Sequence, residues 1–274
     1  MQEQISAAVQ LSNGVRMPQF GLGVYRTGGE EIERAVQSAL EVGYRLIDTA
    51  AMYGNEAGVG AAVRASGVPR EDVFIATKVW NSDQGYDTTL RAFERSLSQL
   101  GLGQVDLYLV HWPVKGRTKE TWRALERIYG EGRARAIGVC NFKAHHLEEL
   151  LQYAEVAPMV NQVECHPFLA QREVLAYCQG HEIRLEAWAP LVRGRLDHPV
   201  LLEVAARHSK TPAQVVLRWN LQRGVVTIPK SARPERIAEN AKLFDFELSA
   251  QDMAQIDALD EERRIGPDPD TIDF

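Results

Sequence analysis

Hydrophobic and polar positions along the chain show two periodic patterns that alternate. Short runs of apolar and β-branched residues, typical of buried strands, recur along the whole length. Between these runs, apolar residues repeat at helical spacing, as in Ile32, Ala35, Val36 and Ala39, which predicts an amphipathic helix after each strand. The predicted strands cover residues 20–24, 45–49, 73–79, 105–111, 136–140, 159–165, 184–189 and 225–229.

The order of these elements predicts the fold. Alternation of strands and helices is typical of α/β proteins with a parallel sheet. The chain has 274 residues and no linker rich in Gly, Pro or Ser, so we expect one domain, residues 1–274, folded as a closed (β/α)8 TIM barrel. Asn13-Gly14 lies between two short alternating runs and predicts an N-terminal β-hairpin. Residues 211–221 and 249–259 lie outside the eight strand–helix units and are predicted to be two extra helices.

Composition restricts the partners and the location. The net charge is −6, from 31 basic and 37 acidic residues, so the surface repels polyanions and a nucleic-acid partner is not expected. Three cysteines without CxxC spacing indicate reduced thiols. Residues 1–5 lack the features of a signal peptide, and no apolar stretch is long enough to cross a membrane. We therefore expect a cytoplasmic protein, and a monomer, without a membrane partner.

Polar side chains stand where the predicted strands end. In a barrel of this kind, catalytic groups come from the C-terminal ends of different strands. The first four of these residues are 30, 33 and 30 positions apart, which is about one strand–helix unit each. The series therefore predicts an active site at that face of the barrel. Its members are Asp48, Lys78, His111, Asn141, His166 and Lys230.

Tyr53 follows Asp48 by five residues and is the candidate proton donor. A phenol is a weak acid at neutral pH, but a neighbouring ammonium favours the phenolate and lowers the pKa. We therefore expect Lys78 to depress the pKa of Tyr53, with Asp48 holding Lys78 charged and oriented. His111 is expected to hydrogen-bond the carbonyl oxygen of a substrate. The predicted chemistry is reduction of a carbonyl group by a hydride and a proton.

Five ordered segments near the strand ends form a recognisable set of motifs. The segments are GYRLIDTA with YGNE (43–56), TKVW (77–80), DLYLVHWP (106–113), GVCNF (138–142) and IPKS (228–231) with Arg236, Glu239 and Asn240. Together they closely resemble the aldo-keto reductase superfamily. The resemblance implies reduction of small aldehydes and ketones with NADPH, which binds across the barrel mouth without a Rossmann fold. Within the superfamily, the chain is most similar to bacterial reductases of 2,5-diketo-D-gluconate and of glyoxal or methylglyoxal. The C-terminal run from Gly266 to Asp270, with Asp273 and Phe274, resembles the glyoxal reductases.

A basic cluster near the last strand favours NADPH as the cofactor. Lys230, Ser231, Arg233 and Arg236 lie at the strand end and the start of the next helix, where positive charge suits the adenosine 2′-phosphate. The alternative is the basic first turn of a surface helix. Residues 21–26 have two glycines but end in Arg, so they do not match the GxGxxG fingerprint. By resemblance, Glu239 and Asn240 contact the adenine.

The resemblance also assigns the nicotinamide end of the cofactor. Asn141 and Gln162 are expected to hold the carboxamide, and Trp188 to stack on the ring. Cys140 stands beside Asn141, where the family usually has a serine, and a thiol is a weaker hydrogen-bond donor.

Aromatic residues after three strand ends are expected to wall the substrate site together with His111. By resemblance these are Tyr25, Trp80 and Trp112. The connections at residues 113–119 and 192–199 are short, so we expect an open site for small, polar carbonyl compounds. Arg193 is a candidate contact for cofactor pyrophosphate or a substrate carboxylate.

Two other functions and a metal site fit the sequence less well. A barrel aldolase needs a lysine such as Lys78 with a lowered pKa, which Asp48 opposes. A non-catalytic NADPH-binding regulatory subunit would keep the same residues, but nothing in the sequence indicates its membrane partner. A metal site is not expected, because His145-His146 has no third ligand in the sequence pattern and His181-Glu182 lacks the second His of HExxH.

Overall fold

The eight predicted strands form a parallel barrel, in a computed structural model that describes residues 5–272. The N-terminal segment 1–4 and the tail residues Asp273 and Phe274 lie outside the described part. An antiparallel hairpin precedes the barrel, as Asn13-Gly14 predicts. The strands are β1 Ala8–Gln10 and β2 Arg16–Pro18 in the hairpin, then β3 Leu22–Gly23, β4 Leu46–Asp48, β5 Phe74–Val79, β6 Val105–Val110, β7 Ala134–Cys140, β8 Val160–Glu164, β9 Arg184–Trp188 and β10 Val226–Thr227.

Barrel strands pair in sequence order from β3 to β10, and the ring closes between the two shortest of them. Parallel bridges join Phe20 to Thr227 and Gly23 to Lys230. The Gly23 amide donates to the carbonyl oxygen of Pro229 at 3.2 Å. The closure places the ends of the first and last strands side by side, so that Gly23 lies next to the predicted phosphate-binding residue Lys230.

Helices cover the outside of the barrel with their apolar faces. The first buries Ile32, Ala35, Val36, Ala39 and Leu40, the stripe that its sequence periodicity predicts. The helices are α1 Glu30–Val42, α2 Glu56–Ala65, α3 Tyr86–Leu100, α4 Thr118–Gly130, α5 Ala144–Leu151, α6 Arg172–Gly180, α7 Pro199–His208, α8 Pro212–Gln222, α9 Pro234–Asn240 and α10 Ala250–Asp257.

Both predicted extra segments are helical, as α8 and α10. Each begins at a capping box, in which Thr211 and Ser249 accept hydrogen bonds from backbone amides three residues later. The connection from β9 to β10 contains a further helix, α7, which the sequence periodicity did not reveal. Helix α8 packs on β10, whereas α7 packs on α8 and α10 around a second apolar cluster that includes Leu201 and Trp219. In this connection α8 is therefore the helix of the strand–helix unit, and α7 is the additional helix.

None of the helices in residues 5–272 combines the length and the apolar character needed to cross a bilayer.

Candidate active site

A cavity of about 920 Å³ opens at the C-terminal ends of the barrel strands. Lys78, Trp80, Cys140 and the strand-end residue His166 are not among its lining residues; Lys78, Cys140 and His166 are buried. The other predicted site residues line it: Tyr25, Asp48, Tyr53, His111, Trp112, Asn141, Gln162, Trp188, Lys230, Ser231, Arg233, Arg236, Glu239 and Asn240.

Lys78 and Asp48 form a buried ion pair beneath the cavity floor. The Lys78 ammonium donates to both Asp48 carboxylate oxygens, at 2.7 and 2.8 Å, and to the carbonyl oxygen of Thr49 at 2.8 Å. Burial alone lowers the pKa of Lys78, but Asp48 and Tyr53 outweigh it and raise the pKa above its ordinary value. The amine is therefore a fully bonded ammonium, which argues against a Schiff-base aldolase.

Tyr53 lies beside this pair, with its ring centroid 5.1 Å from Nζ of Lys78. The prediction that Lys78 leaves Tyr53 with a lowered pKa is wrong for this structure. Burial has the largest effect and raises the pKa of Tyr53; Lys78 lowers it, as expected, but does not outweigh burial and Asp48. Tyr53 is therefore held as a neutral phenol, able to donate a hydrogen bond.

His111 faces Tyr53 across the cavity, with the ring centroids 5.8 Å apart. Burial, and secondarily Lys78, holds the pKa of His111 well below its usual range, so the imidazole is neutral at physiological pH. Trp80 packs edge-on against the same imidazole at 5.1 Å and so acts behind the cavity wall. Tyr25 packs on the Tyr53 ring at 5.0 Å and is among the few exposed large apolar side chains.

A hydrogen bond joins the side chains of Asn141 and Trp188, which the sequence did not indicate. The Trp188 indole N–H donates to the Asn141 side-chain oxygen at 2.8 Å, and the Asn141 amide donates to the carbonyl oxygen of His111 at 2.9 Å. Asn141 adopts φ 65°, a left-handed conformation that asparagine tolerates better than most residues. Burial raises the pKa of the Cys140 thiol well above its usual range, so Cys140 is a neutral, unreactive group.

Glu186 is a buried acid at the site that sequence reasoning missed. The Gln162 amide nitrogen donates to Glu186 and to Asp48, both at 2.8 Å, so its two N–H groups are engaged and its oxygen is left as an acceptor. Burial, with a smaller effect of Asp48, raises the pKa of Glu186 to about 8. The feature of the sequence that could have indicated Glu186 is its position as an acidic residue within a predicted buried strand.

We predict that Glu186→Gln changes the pH dependence of stability. In the unfolded chain the carboxyl ionises near 4.5, so between about 4.5 and about 8 only the folded state keeps the proton. The free energy of unfolding of the wild type therefore falls as pH rises through this window. Relative to the wild type, the variant should gain up to about 1 kcal/mol per pH unit there, measured by urea unfolding. A difference that is constant with pH would contradict the assignment.

Glu164 is a second acid that the sequence analysis missed, and it anchors the C-terminal tail. Its carboxylate accepts hydrogen bonds from the backbone amides of Ile265 (2.6 Å) and Gly266 (3.0 Å), and contacts Nε2 of His166 at 2.9 Å. A Cβ at Gly266 would lie 2.5 Å from the Trp188 indole, so only glycine permits this close approach. The tail therefore forms part of the cavity wall beside Trp188.

The basic residues near the last strand lie together at one end of the cavity. Lys230, Arg233 and Arg236 form no ion pair within residues 5–272, and each lines the cavity. The Ser231 hydroxyl accepts a hydrogen bond from the Arg233 amide at 3.2 Å. The following helix α9 is only seven residues long, so the side chains, rather than a helix terminus, supply most of the positive charge.

His145 and His146 do have a third neighbour, which the sequence pattern did not show. Asp270 of the tail approaches Nε2 of His145 at 3.0 Å and Nε2 of His146 at 3.5 Å. Nδ1 of His146 accepts a hydrogen bond from the Lys143 amide, so its Nε2 carries the proton in the neutral ring, and the Lys143 ammonium also contacts Asp270. These contacts attach the C-terminal tail to the start of helix α5. Because Nε2 of His146 carries a proton, it is poorly suited to bind a metal.

Known proteins resemble this chain over nearly its whole length. Residues 19–261 match the model of the aldo/keto reductase family. The chain is 57% identical to glyoxal reductase of Bacillus subtilis, over 100% of both chains. It is 55% identical to 9,11-endoperoxide prostaglandin H2 reductase of Trypanosoma cruzi, over 96% of this chain and 95% of that one. A crystal structure of a Gox0644 variant in complex with NADPH superimposes with a TM-score of 0.94 at 44% identity, covering 98% and 99% of the two chains.

Proposed function

Because the chain belongs to the aldo/keto reductase family, we propose that it reduces small aldehydes and ketones to alcohols with NADPH, with Tyr53 as the proton donor. The observation that carries the proposal is the grouping of a neutral Tyr53, the Lys78–Asp48 ion pair and a neutral His111 at the bottom of one cavity.

The cavity has the features needed to hold NADPH. Its lining includes the cations Lys230, Arg233 and Arg236, which have no ion-pair partner among the described residues and suit a phosphate in addition to the pyrophosphate. The lining also has the free side-chain oxygen of Gln162 and the indole face of Trp188, which suit a carboxamide and an aromatic ring. When bound, NADPH supplies the hydride for the carbonyl carbon.

The residues of the chain position the substrate and deliver the proton. The neutral His111 side chain donates a hydrogen bond to the carbonyl oxygen, and the Tyr53 hydroxyl transfers its proton to that oxygen as negative charge develops there. Lys78 stabilises the tyrosinate that remains, because it is the nearest positive charge. Asp48 acts as a positioning residue through Lys78 and Gln162.

We further propose that the preferred substrates are 2-oxoaldehydes such as methylglyoxal, with keto sugars such as 2,5-diketogluconate as a second group. The support is an open cavity mouth, bordered by the exposed Tyr25 and by Trp112, together with the similarity to glyoxal reductase. The chain is also 55% identical to a prostaglandin H2 reductase, so sequence identity alone does not determine the substrate.

A turnover panel tests the proposal. NADPH oxidation is followed with glyoxal, methylglyoxal, aldoses, keto acids and aromatic aldehydes, and repeated with NADH. We expect the highest kcat/KM with 2-oxoaldehydes and NADPH. NADPH binding without turnover of any member would instead support the regulatory-subunit alternative.

We predict that Arg236→Gln weakens NADPH binding about tenfold to a hundredfold and leaves NADH binding unchanged. A hydrogen bond from a guanidinium to phosphate contributes about 1.5–3 kcal/mol, and only NADPH carries the 2′-phosphate. Fluorescence titration of both cofactors measures the effect. Arg16→Gln, an exposed arginine on the hairpin, is the matched control. Equal losses for the two cofactors would place Arg236 elsewhere on the dinucleotide.

The cytoplasmic location and the monomeric state remain predictions from the sequence. Gel filtration with light scattering tests the second of them.

A further inference from the structure

A second cavity lies beside the active-site mouth. Its volume is about 280 Å³, and it is enclosed between the β9–α7 connection and the C-terminal tail. Arg193 lines both this cavity and the larger one. The two segments that enclose it therefore also wall the main site. We call this second cavity the arginine pocket; four guanidinium groups line it, from Arg193, Arg195, Arg263 and Arg264.

The positive charge of the arginine pocket is largely unneutralised. Arg193 and Arg195 form no ion pair within the described residues. Arg263 meets Glu261 at 3.3 Å, but both side chains are more than half exposed, so this pair contributes little. Arg264 approaches Asp268 only at 3.8 Å. Four like charges around one small cavity repel each other unless an anion lies between them.

His166 gives the arginine pocket a buried wall. Its side chain is completely buried and lines the cavity, and its Nδ1 has no hydrogen-bond partner among the described residues. Nε2 meets the Glu164 carboxylate at 2.9 Å and therefore carries a proton. With the proton on Nε2, Nδ1 is a hydrogen-bond acceptor, which a protonated oxygen of a bound ligand can satisfy. A buried polar atom without a partner costs stability, so a ligand here satisfies a group that the fold leaves open.

The backbone of the β9–α7 connection is held in an unusual conformation. Val192 and Arg193 have φ of 50° and 52°, in the left-handed region that β-branched residues rarely adopt. The Val192 side chain is buried in the second apolar cluster, which compensates for this conformation. The consequence is that Arg193 and Arg195 both border the pocket.

From these observations we propose that the arginine pocket is a binding site for a phosphate-class oxoanion. Planar guanidinium groups recognise such oxoanions by paired, charge-assisted hydrogen bonds, and the volume of the pocket accommodates one group of this size. The oxoanion is either free inorganic phosphate or the pyrophosphate of a bound dinucleotide. The proposal rests on the pocket alone and holds whether or not the protein reduces carbonyl compounds.

Titration with inorganic phosphate at constant ionic strength tests the site, with the imidazole NMR signals of His166 as the readout. We expect a saturable shift of these signals on phosphate binding. Arg195→Gln/Arg264→Gln should weaken binding at least about tenfold, because two charge-assisted hydrogen bonds are lost. Arg16→Gln/Arg34→Gln, which removes two exposed arginines, is the control for net charge, and urea unfolding verifies that the Arg195→Gln/Arg264→Gln variant is folded.

A second series, with the protein saturated with NADP⁺, separates the two sources of the oxoanion. If the phosphate response persists, the pocket binds a free anion; if it disappears and the double variant also loses affinity for NADP⁺, the pocket binds the pyrophosphate. Both outcomes support an oxoanion site. The proposal is overturned if His166 does not respond to phosphate in the free protein, or if the response is the same in the double variant as in the wild type. A response lost only in Arg236→Gln would likewise overturn it, by assigning the phosphate to the main cavity.

Discussion

Tyr53→Phe is expected to lower kcat/KM for aldehyde reduction by roughly 10²- to 10⁴-fold while NADPH binding is unchanged. The substitution removes only the hydroxyl, which is the proposed source of the proton. The ring keeps its packing against Tyr25 and its position 5.1 Å from the Lys78 ammonium, so the cavity retains its shape. Steady-state NADPH oxidation with methylglyoxal and fluorescence titration of NADPH measure the two quantities separately.

The matched control is Tyr153→Phe, which removes a hydroxyl from a half-buried tyrosine packed against the outer core. This variant should retain wild-type kcat/KM. If Tyr53→Phe lost less than tenfold, another group would have to donate the proton, and the neutral imidazole of His111 is the nearest candidate. A loss of NADPH affinity in Tyr53→Phe would instead show that the tyrosine contributes to cofactor binding.

The sequence predicted the part of this site that lies at strand ends. Asp48, Lys78 and His111 each follow a run of buried residues, and a parallel barrel brings all such ends to one face. The family motifs added the basic residues after the last strand. Most of the strand-end residues line one cavity in the structure, because strand periodicity indicates which end of each strand reaches the mouth without any knowledge of loop structure.

What the sequence did not predict depends on contacts between distant segments. Glu164 and Glu186 lie within strands, and their roles appear only when the tail and Gln162 are placed against them. The net pKa of Tyr53 was predicted in the wrong direction, because the sequence names its charged neighbour but gives no measure of its burial. Helix α7 was missed because its apolar face packs on other helices rather than on the barrel.

The second large effect is expected for Lys78→Met, which should destabilise the fold by about 3–5 kcal/mol and abolish activity. Asp48 is 3% exposed and would keep its charge with only Gln162 as a partner, which is the costly way to break a buried ion pair. Urea unfolding measures the loss.

The double variant Lys78→Met/Asp48→Asn distinguishes the missing ion pair from poor packing. Asparagine removes the buried charge and still accepts the hydrogen bond from Gln162, so part of the lost stability should return. Lys242→Met, on an exposed lysine, is the control and should cost little. If the double variant were as unstable as the sum of its two single variants, packing around the Lys78 side chain, and not its charge, would hold this part of the barrel together. The recovered protein should still be inactive, because stability returns without the ammonium that stabilises the Tyr53 oxygen as it gives up its proton.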